Sequence, residues 1–143
     1  MKYQTLYKKE ASLDELESVA KDIITLLPNS AIVALSGNLA SGKTTLVSQI
    51  VKSLNLGNAT SPTFSLQQIY EDRVFHYDFY RIDFNEIVEL GLLEEFEKEG
   101  LHFVEWADEQ LLTLLSQAGF ELYKITITPK KSKREYILEV INA

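Results

Sequence analysis

A chain of 143 residues, 45% hydrophobic and 24% charged, has the length and composition of one soluble globular domain spanning 1–143, and too little chain for two ordinary ones. Its 14 basic and 21 acidic residues give a formal net charge of −7. That excludes non-specific nucleic-acid binding through the overall field, since phosphates would be repelled; only a local basic patch could touch RNA. With no cysteine, disulfides and thiolate chemistry are excluded, and without an apolar run of signal-peptide or membrane-spanning length a cytoplasmic protein with no membrane contact is expected.

In chain order, Lys2 to Lys8 alternates weakly and reads as a first strand. "SLDE" from Ser12 offers a capping box with Glu15 three residues on, and Leu13, Leu16, Val19, Ala20, Ile23 and Leu27 then recur at helical spacing until Pro28 and Asn29. Ala31 to Leu35 is a short continuous apolar run, as expected of a strand buried on both faces. Leu46, Val47, Ile50, Val51 and Leu54 mark a helix that Gly57 is expected to close. "NATSPTFS" is a loop by composition. Phe64 to Tyr70 and Val74 to Tyr80 read as strands around "EDR". Asn85 to Lys98 reads as helix broken near Gly91, "LHFVE" (Leu101 to Glu105) as a second buried strand, and Glu109 to Ser116 as helix. Phe120 to Thr128 and Glu135 to Ile141 read as strands around "PKKSKR". Strands alternating with helices predict a three-layer α/β domain of P-loop NTPase type, with a largely parallel central sheet and antiparallel edge strands.

Gly37-Asn38-Leu39-Ala40-Ser41-Gly42-Lys43-Thr44 fits G-x-x-x-x-G-K-[ST]. Glycines let successive backbone N–H groups turn inward onto phosphate oxygens, and the following helix adds its positive end. In this pattern Lys43 reaches the β and γ phosphates and Thr44 offers its hydroxyl to Mg²⁺; Thr45 follows at the start of the helix. By chance the pattern arises on the order of once in a few hundred chains of this length. The context is also the required one, an apolar strand before and an amphipathic helix after.

A Mg²⁺–nucleotide site calls for a carboxylate at the end of a neighbouring strand. "LHFVE" ends in Glu105 and "VFHYD" in Asp78, and each singly could be a solvated strand end. Thr60, Ser61, Pro62 and Thr63 lie where a GTPase places a γ-phosphate-sensing threonine, or form an ordinary Ser/Thr turn. His76 and His102, inside strand-like runs, read as satisfied structural histidines. Lys130, Lys131, Lys133 and Arg134 read as a solvated hairpin tip, with an RNA or partner contact as the alternative. Lys43 is expected to face the surface without a core role. If the strand alternation of "LHFVEW" holds to its end, Glu105 and Trp106 point to opposite faces. Trp106 then walls the nucleotide pocket, the other reading being a core tryptophan.

No guanine-reading N/T-K-x-D and no D-x-x-G occurs, which argues against a translational-type GTPase. A small-molecule kinase is a rival, but the chain has only three arginines, Arg73, Arg81 and Arg134, and no obvious lid insertion. A non-catalytic nucleotide-binding module is the third reading. The residues alone reach an ATP-binding protein that hydrolyses slowly or under the influence of a partner.

"GNLASGKTTL", "TSPTFSLQQIY", "HYDFYRID", the acidic segment around Glu86, Glu89 and Gly91, and "FVEWADE" follow one another in an order that resembles the bacterial TsaE (YjeE) family, over most of the chain. Asn38, Ala40 and Ser41 depart from a family loop similar to G-D-L-G-A-G-K-T. The resemblance implies an ATPase needed for the threonylcarbamoyladenosine modification of ANN-decoding tRNAs. It would act with two partners, of TsaB and TsaD type, that carry the transfer site, and would meet tRNA only indirectly. Hydrolysis would reset the partner complex between turnovers. By position, the resemblance implies that Lys43 and Thr44 bind phosphate and Mg²⁺, and that Glu105 is the second Mg²⁺ contact. It further implies that Asp78 orders the attacking water or the metal's shell, that Thr60, Ser61 and Thr63 form a switch-like loop, and that Trp106 lies beside the nucleotide.

Overall fold

The computed structural model of the protein describes residues 1–38, 41–60 and 66–142. In chain order the strands are β1 (Lys2–Ala11), β2 (Ala31–Ser36), β3 (Gln67–Tyr70), β4 (Val74–Asp78), β5 (Leu101–Glu105), β6 (Leu122–Lys130) and β7 (Lys133–Asn142). The α-helices are α1 (Leu16–Leu26), α2 (Lys43–Ser53), α3 (Phe84–Glu89) and α4 (Glu109–Gln117). The strands share one sheet in the order β1-β7-β6-β2-β5-β4-β3. The two continuous apolar runs take its centre: β2 lies between β6 and β5, parallel to both, and β4 runs parallel to β5 on the far side. Strands covered on both faces need apolar residues at every position, which is why "AIVAL" and "LHFVE" show no alternation. Antiparallel strands finish both flanks, β3 against β4 on one side and β7 and β1 beyond β6 on the other. This is the mixed α/β architecture expected, with a parallel centre and antiparallel edges.

Two apolar layers hold the helices to the sheet. On one face Val33, Leu35 and Phe103 pack against Val19 and Ile23 of α1 and Leu46 and Ile50 of α2. On the other, Ile32, Phe75, Tyr77 and Val104 pack against Ile87, Phe96, Leu111 and Leu115. Each such fully buried aliphatic side chain is worth about 1.5–3 kcal/mol. Truncating one, such as Ile50→Ala, adds a cavity and costs about 2–5 kcal/mol. The outer strand β1 is mostly exposed and carries Lys2, Lys8 and Lys9, and the opposite edge, β3, has only four residues; charge and shortness both discourage edge-to-edge pairing.

Several local expectations are corrected. The Ser12–Glu15 capping box forms, but the turn it opens is 3₁₀, over Leu13–Glu15. Three residues per turn carry Leu13 off the apolar stripe, and it is 65% exposed. Asn55, not Gly57, takes the left-handed conformation after α2, at φ 57°, a position asparagine tolerates. The break expected near Gly91 is there, at φ 72°, but the second part, Leu92–Glu97, is 3₁₀ and not α-helix. The β3–β4 turn falls at "EDR" as expected, a three-residue connection with Glu71 and Asp72 at φ 50° and 51°. The β6–β7 turn is only Lys131 and Ser132, so most of "PKKSKR" is strand. Among the described residues no helix is long and apolar enough to cross a membrane.

Candidate functional site

Because β2, β5 and β4 are parallel, their carboxyl ends open toward the same side, where ligands bind in open α/β sheets. A cavity of about 580 Å³ lies there, lined by Ser41, Gly42, Lys43, Thr44, Thr45, Asp78, Tyr80, Arg81, Glu105, Trp106 and Arg134. It gathers residues from four separate stretches of the chain.

The glycine loop leaves β2 and enters α2 at Gly42, whose φ of 104° is one that L-residues rarely adopt. The Asn38 carbonyl accepts from Ser41 N at 3.0 Å, closing part of the loop. Leu39 and Ala40 lie outside the described residues, as do Ser61, Pro62 and Thr63 of the second loop. Thr60 is held to β3 by reciprocal backbone bonds with Ile69 of 2.9 and 3.0 Å and does not line the cavity.

Lys43 does not face the surface, as its position on a loop-to-helix step suggested; it is only 5% exposed. Its Nζ donates to the Gly37 carbonyl at 3.0 Å and sits 3.8 Å from the centre of the Trp106 ring. The bond to Gly37 turns the lysine side chain back toward the end of β2. Burial pushes the Lys43 pKa below the ordinary lysine range, and this outweighs the opposing pull of the Glu105 and Asp78 charges.

Glu105, at the end of β5, is buried. Thr44 Oγ1 donates to its Oε2 at 2.9 Å, and His76 Nε2 lies 2.5 Å from the same oxygen. A carboxylate only accepts, so this imidazole nitrogen carries the proton. Burial alone would raise the Glu105 pKa. The bonds from His76 and Thr44, with the charges of His76 and Lys43, reverse that and hold it below the usual carboxylate value. Asp78 ends β4 in register with Glu105 but is exposed, and its Oδ1 accepts from Tyr80 N at 3.1 Å.

Trp106 departs from the expected alternation. The strand stops at Glu105 and Trp106 takes φ 64°, unusual for a bulky residue and a mark of local strain at a site. The chain bends there, so Glu105 and Trp106 line the same cavity instead of opposite faces. The indole is 36% exposed and meets the Tyr80 ring edge-on, 4.9 Å between centroids, so it is not a core tryptophan.

The three arginines separate. Arg73 lines a different cavity, about 480 Å³, at the opposite ends of the parallel strands with Leu27 and Gly100. Arg81 lies exposed on the rim of the first cavity. Arg134, read from sequence as part of a hairpin tip, instead lies in it, its guanidinium where a β-carbon on Gly42 would fall. Lys130, Lys131 and Lys133 remain exposed. Of the acidic segment, Glu86 serves its own helix: its N–H caps on Asp83 Oδ1 at 2.9 Å.

Sequence reasoning missed the His76 contact, Tyr80 and Arg134. His76 stands two residues before Asp78 on one strand, so period-two alternation already put it on the Asp78 face. Nothing local marks Arg134, because its place depends on a hairpin packing back over Gly42, far earlier in the chain.

The site fits a phosphate ligand by its unfilled polar atoms. Ser41 Oγ and Arg134 Nη1 are buried and, among the described residues, have no hydrogen-bond partner. No group of three or more His, Cys, Asp and Glu able to hold a metal occurs among the described residues. A divalent ion would therefore be held by Thr44 and Glu105 together with phosphate oxygens and water, the mode usual for Mg²⁺ and unlike an all-protein cage.

The family model of the threonylcarbamoyl adenosine biosynthesis protein TsaE matches residues 10–136. The tRNA threonylcarbamoyladenosine biosynthesis protein TsaE of Bacillus subtilis is 30% identical over 141 residues, covering 90% of this chain and 89% of its own. The Aquifex aeolicus protein of the same name is 36% identical over 110 residues (70% and 77%), and that of Rickettsia prowazekii 39% over 110 (71% and 76%). In structure the chain is similar to B. subtilis YdiB, with a TM-score of 0.70 over 99% of this chain and 89% of that one; at 24% identity this likeness concerns the fold.

Proposed function

Since the chain belongs to the TsaE family, we propose that it is a one-domain cytoplasmic ATPase acting in the threonylcarbamoyladenosine modification of tRNA. The observation that carries the reading is the bond from Thr44 to Glu105, which joins the phosphate loop to a strand-end carboxylate 61 residues away. Mg²⁺ bound with ATP would neutralise charge on the β and γ phosphates. The loop Gly37, Asn38, Leu39, Ala40, Ser41 and Gly42, with the amides of Lys43, Thr44 and Thr45, binds the phosphates. The Lys43 ammonium, pre-placed over Trp106, turns from the Gly37 carbonyl to phosphate. Thr44 and Glu105 hold the metal's shell, and Asp78, the exposed carboxylate at the same register, orients the attacking water. Trp106 closes one wall beside the nucleotide. Partners of TsaB and TsaD type carry the transfer chemistry, so tRNA is met only indirectly and hydrolysis by the isolated chain is slow.

The reading is tested by calorimetry with Mg²⁺–ATP on the wild-type chain and Lys43→Ala, followed by multi-turnover tRNA modification with the partner proteins. We expect binding to be lost in Lys43→Ala with the fold kept. Wild-type chain should hydrolyse ATP faster with partners and support repeated turnover. Unchanged affinity in Lys43→Ala overturns the phosphate-loop assignment, and phosphate transferred to a small-molecule acceptor would make the protein a kinase.

A further inference from the structure

His76 touches Glu105 yet is not among the residues that line the cavity beside Gly42 and Trp106. It stands in the middle of β4, its Cα paired with Gln68 of β3 on one side and Phe103 of β5 on the other, so its backbone is fixed in the sheet. The side chain is buried and crosses to the next strand, where Nε2 meets Glu105 Oε2 at 2.5 Å. Thr44 Oγ1 donates to the same oxygen at 2.9 Å. The two donors differ in kind. The Thr44 hydroxyl turns about a single bond and stands at the start of α2, where metal and phosphate would arrive. The imidazole is a planar ring inside a strand. A carboxylate held by the hydroxyl alone could swing about its own side-chain torsions; a second donor on a fixed strand removes that freedom.

A buried imidazole that only had to be satisfied could bond a backbone carbonyl, as His102 bonds that of Lys98. His76 instead bonds the carboxylate that faces the cavity. Period-two alternation puts His76 and Asp78 on one face of β4, and Asp78 pairs in register with Glu105. One strand thus carries both the exposed carboxylate beside Glu105 and the donor behind it. We propose that His76 is a positioning residue for Glu105: its Nε2–H pins Oε2 from the β4 side, so that the carboxylate meets a divalent cation already oriented. His76 itself touches neither the cation nor the nucleotide. The inference rests on the metal-holding part of the function proposed above. A donor placed behind a metal ligand typically changes metal affinity or activity ten- to a hundredfold when it is lost.

The test follows ATP binding to wild-type chain, His76→Phe, His76→Gln and Lys43→Ala as Mg²⁺ is titrated, and again in EDTA, with partner-stimulated kcat and KM for each. His76→Phe keeps a buried planar ring and removes the donor. In His76→Gln the amide nitrogen stands as many bonds from the backbone as imidazole Nε2 and restores the donor. We expect His76→Phe to raise the Mg²⁺ concentration for half-maximal binding roughly tenfold or more, and to lower kcat more than it alters KM, with affinity in EDTA unchanged. His76→Gln should recover most of both, whatever its melting temperature. In a Glu105→Ala background His76→Phe should add nothing, because the group it positions is gone. A Mg²⁺ requirement unchanged in His76→Phe, while Lys43→Ala loses ATP, would overturn this proposal and leave the phosphate-loop reading standing. Equal losses in Mg²⁺ and in EDTA, no recovery in His76→Gln, or a full further loss on Glu105→Ala would overturn it and make His76 structural. Wild-type binding indifferent to Mg²⁺ would overturn the assignment of Thr44 and Glu105 to the metal, and this proposal with it.

Discussion

The neighbouring strands β4 and β5 carry a buried histidine each, and the two rings differ in what closes their hydrogen bonds. His102 lies on the α3–α4 face, stacked on Phe75 at 4.4 Å between centroids. Its Nε2 donates to the Lys98 carbonyl at 2.7 Å and its Nδ1 accepts from the Tyr77 hydroxyl at 2.7 Å. Both nitrogens are satisfied within the protein. His76, on the α1–α2 face, points its Nε2 at Glu105, which also takes the Thr44 hydroxyl and faces the cavity. The first network is closed and stabilises; the second ends in a group that a ligand can still recruit. Burial and residue type are the same in both, so the partner at the end of the chain of bonds separates a structural histidine from one at a functional site.

The largest expected effect lies in the open network. Glu105→Gln keeps the side chain's shape and removes its charge, so we expect partner-stimulated hydrolysis to fall by about 10²–10³-fold with little change in unfolding midpoint, because the carboxylate acts on charge in the transition state. Wild-type hydrolysis in this variant would erase the distinction between the networks. Next, His102→Ala should destabilise by about 3 kcal/mol in urea unfolding, combining a cavity with an unpaired Tyr77 hydroxyl and Lys98 carbonyl, while Mg²⁺–ATP affinity stays put. An affinity loss at unchanged stability would place His102 in the site.

A smaller effect follows from acid. Burial lowers the His102 pKa from 6.5, against the Lys98 carbonyl bond and the Glu95 charge that raise it and with the Lys98 charge that lowers it. A histidine with a lowered folded pKa binds its proton more readily when unfolded. Its contribution is therefore complete above about pH 6.5 and is lost as pH falls through 6.5 toward the folded value. Stability of the wild-type chain should drop faster than that of His102→Phe across this window; parallel curves would refute a neutral, closed network. The smallest effect is optical. Trp106 emission should change on Mg²⁺–ATP binding as Lys43 leaves its ring, with Lys43→Ala unresponsive. Flat emission at saturating ligand would remove Trp106 from the pocket wall.

Sequence made the fold legible wherever one physical signal dominated. The unbroken apolar runs Ala31–Leu35 and Leu101–Glu105 are central strands because both faces are covered, and the turn at Glu71–Arg73 falls where its composition put it. The loop-to-helix step at Gly42–Lys43 was equally plain. What was hidden depended on three-dimensional return. The depth of Lys43, the bend at Trp106 and the inward reach of Arg134 come from a loop, a strand end and a hairpin meeting in space, and no window of neighbouring residues contains that information. The readings of Leu13 and Gly57 failed for a smaller reason: a 3₁₀ turn and a left-handed Asn55 each substitute for the commoner solution at a helix end.

The pairing of β1 with β7 has a kinetic consequence. The register joins Lys2 to Asn142 and Ala11 to Arg134, so the first strand waits for nearly the whole chain before it has a neighbour. Contacts of such sequence separation form slowly, since loop closure precedes any gain from pairing. During synthesis the strand bearing Lys2 to Ala11 stays a lone segment, its lysines keeping it apart from other nascent chains. The phosphate loop and its carboxylates, all encoded before residue 106, can assemble earlier, but the wall that carries Arg134 is built last.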